Sequence, residues 1–296
     1  MLNEEFVFNI GPANITVAYE RIGKPGNPPA LLIMGAGAQM ISWPDGFCTR
    51  LANRGIFVIR FDNRDAGKST HFQHAPVPDF PAVMAGKFDT VSYSLSDMAA
   101  DTIGLATALG FETIHLVGAS MGGMIAQTIA IEYPERVKSL TSIMSTTGHP
   151  SVGQADFAIL SGLGSPRFDN REEFIKWRVQ SLKALGSPGF LFDEAAAAHA
   201  AALSWDRDHD PLAMMRQAAA VIKSGDRTAQ LQRLKMPALV LHGKADKMCD
   251  ISGGIATAEA IPDASLHIFE GMGHNLPAPY WDEMTDLIAG HILKHR

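Results

Sequence analysis

A lone serine between glycines, a carboxylate in a later loop and a histidine in a loop beyond that could together transfer an acyl group. The serine is Ser120 in "HLVGASMGGM", with Gly118, Gly122 and Gly123 around it. This is the G-x-S-x-G spacing of a nucleophile elbow, a strained strand-to-helix turn that pushes the hydroxyl out of a sheet where small neighbours leave it room. Glycine-lightened turns are common, so the flanks carry the argument. Ile114 to Val117 is a short apolar run, and Met124, Ile125, Thr128, Ile129 and Ile131 recur at helical spacing until Pro134.

A serine hydroxyl becomes a nucleophile only when a base takes its proton and an acid orients that base. Of the 11 histidines, His274 stands in "FEGMGHNLPAP", a loop marked by Gly271, Gly273 and Pro277 directly after the apolar run Leu266 to Phe269. His242 and His267 read as strand residues. The acid is expected at the end of the preceding strand, where "ALVLHGKADKMCD" offers Asp246 just past Gly243. Asp250 is its competitor, better explained as a cap for the first amides of the helix begun by "ISGGIATAEAI". The end of the run Leu140 to Met144 carries Ser145, Thr146 and Thr147 and no carboxylate.

The developing oxyanion needs amide donors, each worth about 3–4 kcal/mol in a dry site. The N–H of Met121 comes with the elbow, and Ala36 in "GAGAQM", after the apolar run "LLIM", is the natural second donor. The same glycines could open a dinucleotide site, but Met40 stands where G-x-G-x-x-G needs its third small residue. No G-x-x-x-x-G-K-[ST] phosphate loop is present, and "HFQH" at 71–74 reads as solvated surface rather than a metal site.

These groups can meet only if the right elements hold them. Leu31 to Met34, Phe57 to Phe61, Ile114 to Val117, Leu140 to Met144, Ala238 to Leu241 and Leu266 to Phe269 read as buried strands. Helical patterns at Phe47 to Arg54, Leu95 to Leu109 and Ile251 to Ala260 alternate with them, the order of a doubly wound, mostly parallel α/β sheet. The N-terminal stretch alternates like a strand hairpin. From Thr147 to Leu234 only helical stretches appear ("NREEFIKWRVQSLKALG", "DEAAAAHAAALSW", "PLAMMRQAAAVIKSG"). Residues 1–146 and 235–296 are therefore expected to form one core, with 147–234 a helical cap inserted before its last two strands.

Composition sets the outer limits. A chain of 296 residues with 46% hydrophobic and 19% charged residues can bury a large core. A net charge of −6 gives no basic footprint for nucleic acid. Acidic residues near the N-terminus do not suit a secretory signal, and no apolar run approaches the roughly 18 residues of a membrane span. Two cysteines, Cys48 and Cys249, make no disulfide framework and are expected to be reduced and partly buried, as in a cytoplasmic protein.

Taken together, "LLIMGAGAQMISWPDGF", "VIRFDNRDAGKS", "HLVGASMGGM", "LVLHGKADKM" and "FEGMGHNLP" resemble the α/β-hydrolase superfamily over nearly the whole chain. The "MG" and "WPD" make the first of these most similar to cap-bearing serine esterases of the aclacinomycin methylesterase type. The resemblance implies an α/β-hydrolase fold, a triad of Ser120, Asp246 and His274, and oxyanion amides at Ala36 and Met121. It implies structural roles for Asp62, Arg64 and Ser69. One departure stands out: many relatives carry His-Gly where this chain has Met34-Gly35, so a histidine near the leaving group is missing. Haloalkane dehalogenases and epoxide hydrolases carry an aspartate at the elbow, and their reactions are not expected here.

The expected activity is two-step hydrolysis of carboxylic esters through an acyl-serine, needing neither metal nor cofactor. The partner is a small to medium, partly apolar ester. Its cleft is expected to include Met40, Trp43 and Met124 from the core and Phe157, Trp177 and Met214 from the cap. The same residues could instead open a lactone, hydrolyse a carbon–carbon bond or perform perhydrolysis, and a slow ligand-binding homologue is the more distant alternative.

Overall fold

Eight strands form a single sheet in a computed structural model of the chain, which describes residues 3–157, 159, 168, 170–208 and 210–296. The strands are β1 (Glu5–Ile10), β2 (Ile15–Ile22), β3 (Pro29–Ile33), β4 (Phe57–Phe61), β5 (Ile114–Ala119), β6 (Val137–Ile143), β7 (Ala238–Gly243) and β8 (Ser265–Phe269). Their order is β1-β2-β4-β3-β5-β6-β7-β8. The hairpin β1–β2 and the β2–β4 pair are antiparallel, and every other neighbouring pair is parallel.

Strand alternation divides the core into two layers. Leu31 and Ile33 of β3, with Phe57, Ile59 and Phe61 of β4, pack with the helices Leu95–Ala108 and Met121–Glu132. Ala30 and Leu32, with Val58, pack on the other face with the helices Asp45–Asn53 and Trp281–Lys294. β5 lies mid-sheet, so all six of its residues are buried. The helix Leu95–Ala108 starts at a capping box in which Ser94 and Asp97 satisfy each other's amides.

β6 begins at Val137, three residues before the apolar run suggests. All of its residues but Lys138 are buried, and the buried Ser139 Oγ is hydrogen-bonded to His115 Nδ1 of β5 at 2.8 Å. Between β6 and β7 the described elements are all helices: Arg171–Leu185, Glu194–Arg207, Ala213–Ser224 and Thr228–Leu231. Within the interval 147–234, residues 158, 160–167, 169 and 209 lie outside the described residues. Among the described residues no helix is long and apolar enough to cross a membrane.

Side chains rather than sheet hydrogen bonds tie this helical segment to the core. Arg207 reaches Asp62 Oδ2 at 2.8 Å and also pairs with Glu4. Arg216 pairs with Asp65 at 2.7 Å, Arg227 donates to Gln127 Oε1 at 3.1 Å, and Gln217 donates to Arg64 O at 2.8 Å.

Candidate active site

The C-terminal ends of β5, β7 and β8 deliver three side chains to one place. β5 runs into Ser120, whose φ of 56° and ψ of −123° lie in the left-handed half of backbone space. The helix Met121–Glu132 begins at the next residue. Only glycine fits the neighbouring positions. A Cβ on Gly118 would lie 2.1 Å from Gly122 O, and one on Gly122 would lie 2.0 Å from Ile33 O.

His274 follows β8 in a loop whose amide donates to Leu185 O of the helical segment at 2.8 Å. Its Nδ1 lies 2.7 Å from Asp246 Oδ2, and its Nε2 lies 3.0 Å from Ser120 Oγ. Asp246 follows β7, and its carboxyl is fully buried. Its Oδ1 accepts the amides of Met248 at 2.8 Å and Cys249 at 2.9 Å, so Oδ2 is turned toward the imidazole. A proton on Nδ1 shared with Oδ2 leaves the Nε2 lone pair facing the serine. His242 lies behind this pair, with Nε2 2.8 Å from Cys249 O, and burial pushes its pKa down.

Asp250 does other work. Its Oδ1 accepts the amide of Ser252, the first residue of the helix Ser252–Ala260, at 2.9 Å, and its Oδ2 accepts that of Gln154 at 2.7 Å. Both cysteines are free and buried, and burial pushes the Cys48 thiol up to about 12 and the Cys249 thiol upward as well.

The loop after β3 passes against the serine: a Cβ on Gly35 would lie 3.0 Å from Ser120 Cβ and 3.4 Å from Oγ. The Gly37 amide is committed to Gln217 Oε1 at 2.7 Å and that of Ala38 to Gly35 O at 3.3 Å, with Ala36 between Gly35 and Gly37. Met121 is the first residue of its helix, where an amide has no partner within the helix. The pattern D-x-R-x-x-G-x-S builds the adjoining turn. Asp62 Oδ1 accepts the Met40 amide at 2.6 Å, Arg64 pairs with buried Asp101 at 2.6 Å, and Ser69 Oγ donates to Asp62 O at 2.6 Å.

A cavity of about 160 Å³ adjoins the loop after β3. Its walls include Gly37, Gln39 and His71 from the core and Phe168, Phe174, Trp177, Arg178, Trp205 and Met214 from the helical segment. Ser120 and His274 are not part of its lining. Of the six residues expected in a cleft, Trp177 and Met214 line this cavity, and the Met214 side chain packs directly on Gly37. Met124 is partly buried against the core layer that also receives Ala36 and Phe72. Met40 and Trp43 are fully enclosed: Trp43 stacks on Phe47 at 5.8 Å on the far face of the sheet. Phe157 is 84% exposed and is not part of the cavity lining.

His71 departs from the surface position expected of it. Its side chain is only 8% exposed, with Nε2 2.9 Å from Gly67 O. Its Nδ1 lies 3.6 Å from Asp210 Oδ2 and 3.9 Å from Asp65 Oδ1. Asp65, His71 and Asp210 are the one group among the described residues with metal-ligand spacing. A cation is a poor fit there, because both carboxylates already hold Arg216, and Asp65 also accepts Tyr93 OH at 2.7 Å and the Phe72 amide at 2.8 Å. The aromatic wall was only partly visible in the sequence: Phe174 and Trp177 share a helix face in "FIKW", whereas Trp205 meets Phe174 at 5.3 Å from a different helix.

A sequence model of the alpha/beta hydrolase fold matches residues 28–278, and the chain belongs to that family. Within it, the chain is 29% identical over 304 residues to "Rhodomycin D methylesterase DauP" of Streptomyces sp. (strain C5), an alignment covering 94% of this chain and 95% of that protein. It is 28% identical over 272 residues to a "2-hydroxy-6-oxononadienedioate/2-hydroxy-6-oxononatrienedioate hydrolase" of Paraburkholderia phymatum, covering 89% and 86% of the two chains. Among solved structures, the esterase RhEst1 from Rhodococcus sp. ECU1013 superposes with a TM-score of 0.74 at 20% identity, covering 100% of both chains.

Proposed function

We propose that this protein is a serine carboxylic ester hydrolase. The observation that carries the reading is the line Ser120 Oγ, His274 Nε2, His274 Nδ1, Asp246 Oδ2, with separations of 3.0 and 2.7 Å across its two hydrogen bonds. The methylesterase relative aligned over 94% of this chain supports it.

In the first step His274 Nε2 takes the Ser120 proton as Oγ attacks the ester carbonyl, and the amides of Ala36 and Met121 receive the oxyanion. Collapse of the intermediate expels the alcohol with the proton held on His274. Water, deprotonated by the same imidazole, then releases the acid and restores Ser120. Asp246 holds the tautomer throughout. The helical segment 147–234 serves as a cap over this chemistry, and two buried reduced thiols suit a cytoplasmic setting.

A second reading, hydrolysis of a carbon–carbon bond, is favoured by the match to the 2-hydroxy-6-oxononadienedioate hydrolase, since the same three groups could serve it. A p-nitrophenyl ester series of increasing acyl length separates them. Turnover that falls by about 10⁴–10⁶ in Ser120→Ala and His274→Ala supports the esterase reading. A folded wild type that turns over no ester sinks it in favour of the carbon–carbon reaction.

A further inference from the structure

We propose that the aromatic cavity beside the loop after β3 is a subsite for a ring-bearing carboxylate, with Arg178 as the residue that recognises the charge. The substrate class is then an aromatic ester that carries a second, free carboxylate. This deepens the esterase reading and rests on it for the chemistry, while the binding step stands apart from it.

Arg178 lies on the helix Arg171–Leu185, partly buried, and lines the cavity. Of the other described arginines of the helical segment, Arg233 is exposed to solvent and the remaining four are engaged. Arg171 pairs with Asp206 at 2.7 Å, Arg207 with Asp62 at 2.8 Å, Arg216 with Asp65 at 2.7 Å, and Arg227 donates to Thr146 O at 3.0 Å. Among the described residues Arg178 has neither a hydrogen-bond acceptor nor a carboxylate partner. Burial pushes its pKa down with no neighbouring charge to offset it. A guanidinium carries five N–H donors, and leaving them unpaired beside apolar rings is costly unless a ligand supplies the acceptors.

The chemistry of the walls selects that ligand. Phe168 and Trp177 are 5.0 Å apart and Phe174 and Trp205 5.3 Å apart, a cluster suited to a flat apolar body. A cavity of about 160 Å³ matches a single aromatic ring. The carboxylates of Asp65 and Asp210 are both taken up by Arg216, and Asp208 lies 3.4 Å from His71 Nε2, so none of the acids in the lining pairs with Arg178, its one guanidinium. A carboxylate offers two oxygens that fit the guanidinium fork side by side, on a group small enough to share the cavity with a ring.

The test uses benzoate and benzamide, which share a ring and differ in charge, titrated into Ser120→Ala protein by calorimetry. Benzoate is expected to bind at least about tenfold more tightly than benzamide, the worth of a charge-assisted contact. Arg178→Gln should bring the two to within about twofold, and Arg178→Lys should restore part of the difference. Equal binding of the two ligands, binding of neither, or an equal loss of both in Arg178→Gln overturns the proposal, the last by making Arg178 a packing residue. Kinetically, Arg178→Gln should lower the ratio of kcat/KM for monomethyl terephthalate over dimethyl terephthalate at least about tenfold, through KM. If neither ester is hydrolysed while the benzoate preference depends on Arg178, the esterase reading fails and the subsite stands.

Discussion

Replacing Asp246 by Asn tests the catalytic geometry more sharply than deleting the serine. Asparagine keeps the volume of the aspartate and an oxygen to accept the amides of Met248 and Cys249, now at 2.8 and 2.9 Å. Its amide nitrogen then takes the Oδ2 position, 2.7 Å from His274 Nδ1. An NH₂ there can only donate, so Nδ1 must accept and the ring proton moves to Nε2. Nε2, 3.0 Å from Ser120 Oγ, then has no lone pair with which to take the serine proton. The expected loss is about 10⁴ in kcat, equivalent to about 5.5 kcal/mol of transition-state stabilisation, with KM changed little. Asp250→Asn is the paired control. It costs about 1 kcal/mol of stability through its Gln154 contact at 2.7 Å and leaves kcat within a few-fold. Initial rates of p-nitrophenyl acetate hydrolysis, with a urea melt for each variant, provide the readout. Asp246→Asn retaining more than about a tenth of wild-type kcat, or Asp250→Asn losing more than Asp246→Asn, would refute the assignment of the acid.

Three further outcomes follow from distances and burial. In Gly35→Ala the new methyl would meet Ser120 Cβ at 3.0 Å, so kcat toward p-nitrophenyl esters should fall about tenfold or more while the urea midpoint moves little; unchanged kcat would separate this loop from the reaction. Arg207→Met leaves the buried Asp62 carboxylate without its cation, and chemical denaturation should show a loss of about 3 kcal/mol, with an unchanged midpoint counting against the pairing. His115 is 2% exposed, and burial holds its pKa down to about 4 from 6.5. The unfolded chain binds a proton below about pH 6.5 that the native state refuses until about pH 4, so stability is full above the upper value and declines as pH falls toward the lower one. His115→Gln should remove about 2–3 kcal/mol of the difference between denaturation curves near pH 7 and near pH 4.5; an undiminished difference would assign the acid sensitivity elsewhere.

What the sequence disclosed is what local chemistry controls. Ser120, Asp246 and His274 each follow a strand at a turn marked by glycine or proline, and strand ends in a parallel sheet share one edge, so their meeting was legible. Side-chain direction was not. Trp43 stands nine residues after Met34 at the end of β3, yet the short helix Asp45–Asn53 that follows carries its ring to the opposite face of the sheet, onto Phe47. Met40 is similarly absorbed, its amide held by Asp62 at 2.6 Å. His71 lies among prolines and polar residues that suggest open surface, and what buries it comes from more than 130 residues later, at Asp208 and Asp210. The isolation of Arg178 was invisible for the same reason, because the absence of a partner is a property of the assembled cavity alone.

The backbone at Ser120 has a thermodynamic consequence that needs no substrate to observe. A φ of 56° with ψ of −123° is a conformation serine adopts at a cost of about 1–3 kcal/mol, whereas glycine reaches it freely. The turn that presents the hydroxyl therefore draws on the free energy of the rest of the fold. Exchanging Ser120 for glycine should yield a protein that is catalytically silent yet harder to melt than the parent. The position at which chemistry is performed would thus identify itself in a calorimeter as the place where evolution has accepted a looser fold.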